Sequence, residues 1–151
     1  MPGRIQPRAS ELRQLTQQFF RRFGVLAAGA TPCGRPLPLA HAHALMVLLD
    51  RGELTQRALG LALCIDKSNV ARLCGRMAGS GHVTQVRCPL DGRSRRVALT
   101  PRGERVAREV EAASRARFSN LLRTIPPGRR ESVISGVRAL LEALDQMGQE
   151  Q

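Results

Sequence analysis

The fold of this chain is decided by residues 54–83, LTQRALGLALCIDKSNVARLCGRMAGSGHV, and by residues 91–103, DGRSRRVALTPRG. Thr55 is a candidate N-cap, because its hydroxyl can accept a hydrogen bond from a free amide at a helix start. The apolar spacing after it predicts a helix over 56–63 and, beyond a short turn, a second helix over about 67–80. Two short helices joined by a tight turn are typical of a helix-turn-helix.

A basic hairpin follows the helix pair. Gly81 is expected to end the second helix, since glycine readily adopts the left-handed conformation found there. Residues 82–87 and 95–99 predict two strands joined by a turn at 89–92, and Thr100-Pro101 caps and opens the next helix. The pattern therefore predicts a winged helix-turn-helix, which places a helix in the major groove of DNA and an arginine in or near the minor groove.

The segment before this module predicts two more helices. Residues 1–9 contain two prolines and a glycine and are expected to be unstructured. A helix over 10–28 then begins at Ser10, with an apolar seam of the coiled-coil type formed by Leu12, Leu15, Phe19, Phe23 and Leu26. A breaker-rich loop at 29–38 separates it from a helix over about 39–49.

The segment after the module predicts a long connecting helix over 101–125 and a last helix over 129–147. The last helix carries a second apolar seam, formed by Val133, Val137, Leu140, Leu141 and Leu144. Seams on both terminal helices indicate dimerisation across a two-fold axis, the alternative being that they fold back on their own subunit. We expect one domain over 1–151, mainly α with a small β-wing, in which 39–103 form the DNA-binding lobe.

The charge balance indicates a polyanionic partner. The chain has 24 basic and 12 acidic residues, giving a net charge of +12. All basic residues except Lys67 are arginine, which a GC-rich genome would explain, but such a bias does not explain the excess of basic over acidic residues. With no tryptophan, no tyrosine and 4 phenylalanines, binding of single strands or RNA by base stacking is disfavoured, so double-stranded DNA is the expected partner.

Several classes of protein are excluded on the same grounds. No apolar run approaches the ~20 residues that span a bilayer, and the N-terminus lacks the apolar core of a secretory signal. The 4 cysteines form no CxxC pair and are expected to be reduced, which predicts a cytoplasmic protein. Nucleophile–base spacings, phosphate-binding glycine loops and metal-ligand clusters are missing, so neither enzymatic activity nor a cofactor is expected.

Over about residues 10–146 the chain resembles the MarR family of bacterial transcriptional regulators. The resemblance lies in Leu54-Thr55, in DKSNVAR at 66–72, in the glycine before the first wing strand, and in a D-x-R-x-x-x-x-x-L-T-x-x-G wing. That wing motif is supplied by Asp91, Arg93, Leu99-Thr100 and Gly103.

The resemblance implies an obligate dimer with a triangular winged-helix body that represses nearby genes. It also implies a small-molecule pocket between the dimer helices and the DNA-binding lobe, with phenolic or aromatic anions, oxidants or metals as effectors. Cys64 stands where the family usually has glycine, and His82 replaces an apolar residue. Tyrosine and tryptophan, common in that pocket, are missing, so the effector stays open.

The candidate DNA contacts share the second helix-turn-helix helix, its entry and the wing; they are Thr55, Lys67, Ser68, Asn69, Arg72, Arg76, Arg93, Arg95 and Arg96. Arg72 can pair with guanine O6 and N7, and Arg93 suits an A·T-rich minor groove. Asp91 is expected to stabilise the wing by a salt bridge to Arg93. The alternative is an ordinary solvated helix face and strand. On the opposite helix face, Val70, Leu73 and Met77 are expected in the core.

Candidate effector-pocket residues are aromatic or imidazole side chains near the terminal helices: Phe19, Phe20, Phe23, His41, His43 and Phe118. The alternative is that the phenylalanines belong to the core and the histidines lie at the surface or an interface. Some family members resemble zinc sensors in this region, but a zinc site needs three or four ligands. No metal site is expected here.

Two cysteines are candidates for redox sensing. Cys33 lies in a loop expected to be flexible and exposed. Cys88 lies at the wing base, where Arg87 and Arg93 are expected to lower its thiol pKa. The alternative is that both thiols are inert; Cys64 and Cys74 are expected to be packed.

These observations favour a dimeric repressor that binds a palindromic operator and is released by a small molecule or an oxidant. A non-specific architectural DNA binder without an effector is a second interpretation, and a thiol- or metal-sensing regulator is a third. A protein-interaction module that uses the winged helix as a scaffold is a fourth.

Overall fold

A computed structural model describes residues 5–149 of the chain. Its helices are α1 (Ile5–Phe23), α2 (Leu39–Arg51), α3 (Gln56–Leu63), α4 (Lys67–Gly79), α5 (Pro101–Thr124) and α6 (Pro127–Gln149). Its strands are β1 (Leu54–Thr55), β2 (Val83–Arg87) and β3 (Arg95–Leu99). The predicted fold class, mainly helical with a small β-wing, is confirmed.

The three strands form one antiparallel sheet in the order β1-β3-β2. Leu54 of β1 pairs with Val97, while Arg87 of β2 pairs with Arg95 near the hairpin tip. The sequence predicted β2 and β3 but not β1. Two residues are too few to show a strand periodicity, and β1 exists because it pairs with β3.

The core lies between α2, α3, α4 and the inner face of the sheet. Its largest fully buried side chains include Leu45, Leu48, Leu59, Met77 and Val97. The prediction that one face of α4 is core is confirmed, because Val70, Leu73 and Met77 are all buried. This packing turns the opposite face of α4 to solvent.

A glycine turn connects α4 to the wing. Gly81 has φ +74°, and the amide of His82 donates to the Met77 carbonyl at 3.0 Å, as in a Schellman motif. The predicted stop at Gly81 is therefore confirmed. Thr100 then joins this turn to α5, because its hydroxyl donates to the Gly81 carbonyl at 2.6 Å and accepts from the Gly103 amide at 3.0 Å.

Helix α1 differs from its prediction at both ends. It begins at Ile5, because Pro7 lies in the first turn, where backbone amides have no partner within the helix; Glu11 is therefore not in that turn. It ends at Phe23, because Gly24 has φ +91° and starts a turn. Leu26, the last predicted member of the seam, thus lies outside the helix.

The chain divides into two compact units, one up to Ser114 and one from Arg115 onward. The division falls inside α5. The first unit exposes apolar side chains on α1, namely Leu12, Leu15, Phe19 and Phe20. The second unit exposes a longer set on α6, namely Val133, Ile134, Val137, Leu140, Leu141, Leu144 and Met147.

Candidate nucleic-acid interface

The start of α4 is defined by a side-chain cap. Asp66 is the N-cap, and its Oδ1 accepts a hydrogen bond from the Asn69 amide at 2.8 Å. Lys67, Ser68, Asn69, Arg72 and Arg76 are all exposed. The predicted contact residues on this helix therefore share its solvent-facing side. Thr55 has a different position: its hydroxyl caps α3 by accepting from the Ala58 amide at 3.1 Å.

A chain of side-chain hydrogen bonds runs along the first turns of α4. The side-chain amide of Asn69 donates from Nδ2 to Asp66 Oδ2 at 2.7 Å. Its Oδ1 accepts from Arg72 Nη2 at 2.8 Å. These bonds hold the Arg72 guanidinium beside the start of the helix.

The turn between α3 and α4 contains a cysteine in a glycine-type conformation. Cys64 has φ 55°, in the left-handed region that disfavours residues with a Cβ. Its backbone amide closes α3 by donating to Leu61 O at 3.2 Å. The expectation that Cys64 is packed is wrong: its side chain is exposed, because a C-cap residue leaves the helix and points away from the core.

The two helices approach closely at a second glycine. A Cβ built on Gly60 would lie 3.2 Å from Val70 Cγ1 and 3.3 Å from the Ile65 carbonyl oxygen. Gly60 is buried. It thus allows α4 to pack against α3 near the turn, a role that sequence reasoning missed because a glycine inside a helix has no distinctive pattern.

The wing tip is organised by Asp91. Its Oδ1 accepts from the backbone amide of Arg93 at 3.0 Å, and the Ser94 amide donates to the Asp91 carbonyl at 3.0 Å. Among the described residues Asp91 forms no ion pair with Arg93, so the predicted salt bridge is wrong. A carboxylate two residues before an amide closes an Asx turn instead. The Arg93 side chain is left exposed.

The other two wing arginines point to opposite faces of β3. Arg96 donates to Glu53 Oε1 at 3.0 Å and lowers the pKa of the Cys88 thiol. Its guanidinium is therefore engaged within the protein. Arg95, by contrast, lines a cleft with Arg93.

This cleft joins the wing tip to the helix-turn-helix and has a volume of about 450 Å³. Its polar and charged lining residues are Gln56, Arg57, Lys67, Asp91, Arg93, Ser94 and Arg95. The four cations outnumber the single carboxylate, so the cleft favours an anion. Arg57 was not predicted as a site residue, because its exposed position early in α3 resembles an ordinary solvated helix face.

Residues 36–94, which include the helix-turn-helix and most of the wing, match the model of the MarR family. A probable transcriptional regulator from Pseudomonas aeruginosa has a similar structure, with 25% identity, a TM-score of 0.67, and coverage of 88% of this chain and 95% of that chain. The segment that contains the helix-turn-helix is thus similar to the MarR family. MarR-family proteins are transcription regulators, not enzymes.

Two further solved structures resemble this chain in fold. FabT from Streptococcus pneumoniae, in complex with DNA, is 15% identical with a TM-score of 0.73 over 95% of this chain and 99% of that chain. BpsR from Bordetella bronchiseptica, described with regulation of its DNA binding by 6-hydroxynicotinic acid, is 19% identical with a TM-score of 0.71 over 86% of this chain and 98% of that chain. No curated protein matches the chain.

A buried histidine pair connects α2 to the turn that follows α4. His41 Nε2 and His82 Nδ1 are 2.9 Å apart, and both residues are buried. Burial, the His82 imidazole and the Arg76 guanidinium lower the pKa of His41. Burial and the Arg102 guanidinium lower the pKa of His82. The pair therefore holds its neutral form near pH 7.

This pairing corrects the prediction that His41 is a surface or interface residue. His41 and His43 both lie inside α2, within the predicted helix. His41 faces the core because it is the residue of α2 that meets His82, whereas His43 is exposed. The sequence contained one signal for this contact, because His82 stands where the family usually has an apolar residue.

The remaining effector-pocket candidates are divided between the two units. On α1, the Phe19 and Phe23 rings are stacked with centroids 5.1 Å apart, and Phe19 also meets Phe20 at 6.4 Å. Phe19 and Phe20 are 48% and 44% exposed, which excludes them from the core of the first unit. Phe118 belongs to the second unit. A pocket formed by these residues stays a prediction.

The cysteines occupy different environments. Cys74 is buried as predicted, and burial raises the pKa of its thiol. The pKa of Cys88 is lowered, first by hydrogen bonds from the backbone amides of Leu90 and Asp91 and then by Arg96. The direction of the shift agrees with the prediction. Its cause differs, since the pKa is lowered by these backbone hydrogen bonds and by Arg96, and not by Arg87 or Arg93.

Cys33 is half-buried, not exposed as predicted. Its sulfur lies 2.9 Å from the Thr31 hydroxyl, and Arg35 connects this loop to α5 by an ion pair with Glu109.

Within residues 5–149, no three His, Cys, Asp or Glu side chains gather as a metal site. No helix in the same range is both long enough and apolar enough to cross a bilayer.

Proposed function

We propose that this protein is a MarR-family regulator, which binds a palindromic DNA operator as a homodimer and represses the adjacent genes until a small molecule releases it. The observation that carries the proposal is the cationic cleft, in which Lys67 of α4 and Arg93 of the wing line one surface. The start of α4 enters the major groove and Arg93 the minor groove. The other exposed cations contact phosphates.

Dimerisation supplies the two-fold symmetry of the operator. The exposed apolar residues of α1 and α6 are too many for a stable monomer surface, and a second copy of the chain is their partner. Two reading helices related by a two-fold axis lie about one helical turn of DNA apart, which predicts two inverted half-sites.

The effector that we propose is an aromatic anion bound near the phenylalanines of α1. The regulation of BpsR by 6-hydroxynicotinic acid supports this chemistry in a protein of the same fold. One observation favours a second candidate: Cys88, with its lowered thiol pKa, lies at the base of the wing. Oxidation of this thiol would displace the wing and release DNA, which makes an oxidant the alternative effector.

Fluorescence anisotropy with labelled DNA tests the proposal. The protein is titrated against the duplex upstream of its own gene and against a scrambled duplex, each at two salt concentrations. Preference for the upstream duplex, with an affinity that falls steeply with salt, is the expected result. Equal binding to both duplexes would favour a non-specific architectural protein, and no binding would favour a protein-interaction module. Aromatic acids and peroxide are then added to the specific complex.

A further inference from the structure

The orientation of the Asn69 side chain is fixed by its two neighbours. A carboxylate only accepts hydrogen bonds and a guanidinium only donates them. The Asn69 NH₂ group must therefore face Asp66, at 2.7 Å, and its oxygen must face Arg72, at 2.8 Å. The opposite orientation would place donor against donor and acceptor against acceptor.

This arrangement gives Asn69 and Arg72 different capacities for contacting a base. Asparagine reads adenine by donating and accepting with the same amide. In Asn69 one N–H and one oxygen lone pair are already engaged by Asp66 and Arg72, which fixes how the amide is turned. Arg72 uses one N–H to bond Asn69. The other N–H groups of its guanidinium stay available, and two of them suffice for the paired contact to guanine O6 and N7.

The same bonds restrict the conformations of Arg72. A free arginine loses much rotamer freedom when it binds a base, whereas a side chain already held in place loses less. Asp66 anchors the chain of bonds because its other oxygen caps α4.

We propose that Asn69 is a positioning residue, which contacts no base itself and holds Arg72 to read one guanine in each operator half-site. The inference rests on the proposed function, in which α4 enters the major groove. It assigns the discrimination of one base pair to two residues acting as a unit.

The test is selection of bound duplexes from a random pool, followed by sequencing, with wild type, Arg72→Ala, Asn69→Ala and the double variant. Arg72→Ala is expected to lose about tenfold discrimination at one G·C pair per half-site. Asn69→Ala is expected to lose most of the preference at that same pair and at no other. The double variant should lose no more than Arg72→Ala, since the two residues act together.

Two further variants separate positioning from folding and from charge. Asn69→Leu keeps the side-chain shape and should reproduce Asn69→Ala, and both retain the backbone cap to Asp66. Arg76→Ala removes an exposed cation from the same helix and should weaken binding to all sequences alike. A loss of preference at a different base pair in Asn69→Ala would overturn the proposal, as would an unchanged preference. A wild type that selects no motif would instead refute the proposed function.

Discussion

At the scale of single residues, the buried pair of His41 and His82 couples the fold to protons. Their nitrogens are 2.9 Å apart, a distance that requires one ring to accept. Two protonated rings cannot do so and repel each other, and Arg76 on α4 and Arg102 on α5 add positive charge on either side. The DNA-binding lobe is thus built to contain this pair in its neutral form.

We expect the free energy of unfolding to fall as the pH drops from about 7.5 to about 5.5. The pKa values of His41 and His82 are lowered in the folded state. Below about pH 6.5 the unfolded chain therefore binds more protons than the native chain, and protonation favours unfolding. Urea unfolding followed by circular dichroism measures the effect. His82→Leu should show a smaller loss. Burial also lowers the pKa of His43, so His43→Gln should reduce the loss as well, but by less than His82→Leu does. An equal loss in wild type and His82→Leu would contradict the explanation.

Thiol reactivity gives a second prediction at this scale. Backbone amides and Arg96 lower the pKa of Cys88, whereas burial raises that of Cys74. Near pH 7 we expect iodoacetamide to modify Cys88 at least about tenfold faster than Cys74, because the thiolate is the reacting form. Peptide mapping by mass spectrometry measures both rates, and Arg96→Ala should slow only the first. Faster modification of Cys74 would rule out the proposed cause.

At the scale of elements, α5 approaches the turn after α4 more closely than a side chain allows. A Cβ on Gly103 would lie 1.8 Å from the His82 carbonyl oxygen, whereas a Cβ on Gly75 in α4 meets nothing within 4 Å. We expect Gly103→Ala to destabilise the protein by about 1–3 kcal/mol or more, and Gly75→Ala to stabilise it by about 0.5–1 kcal/mol. Chemical denaturation compares the two; similar effects would refute the close approach.

The wing supplies a further prediction at this scale. Arg93 is exposed, and within residues 5–149 Asp91 engages its backbone and not its guanidinium. We expect Arg93→Ala to weaken operator binding at least about tenfold at moderate salt, since a narrow A·T-rich minor groove concentrates negative potential. The control Arg105→Ala removes the same charge from an exposed position on α5 and should change affinity less than about threefold. Unchanged affinity in Arg93→Ala would end the minor-groove assignment.

The elements also show what the sequence predicts and what it does not. Helices α3 and α4 and strands β2 and β3 were predicted because caps, glycine and apolar spacing are local signals. Strand β1, the close packing at Gly60 and the contact of His41 with His82 were missed because each depends on a partner distant in sequence. At the candidate site, the exposed face of α4 was predicted from its periodicity. The roles of Asp91 and Arg96 were not, because the partner of a side chain follows from its three-dimensional neighbours.

At the scale of the whole molecule, the exposed apolar residues of α1 and α6 predict assembly. A stable dimer buries about 1,200–2,000 Å², and a charge placed within such a surface disrupts it. We expect Leu15→Glu and Leu141→Glu, alone or together, to give monomers in sedimentation equilibrium and to lose operator affinity. The control Leu90→Glu alters a wing residue that is 97% exposed and should keep the mass of the dimer. A dimeric mass for the double variant would exclude these residues from the interface.

Asp66 ends the chain of bonds to Arg72 and also caps α4, and this double role links recognition to helix fraying. Any opening of the first turn of α4 releases Asn69 and, through it, Arg72. By thermodynamic reciprocity, a duplex that engages Arg72 must suppress that opening. Amide hydrogen exchange at Asn69 and Val70 should therefore slow more on a matched operator than on a duplex of random sequence bound to the same extent. The cap of a helix then reports, through a backbone amide, which base lies in the groove.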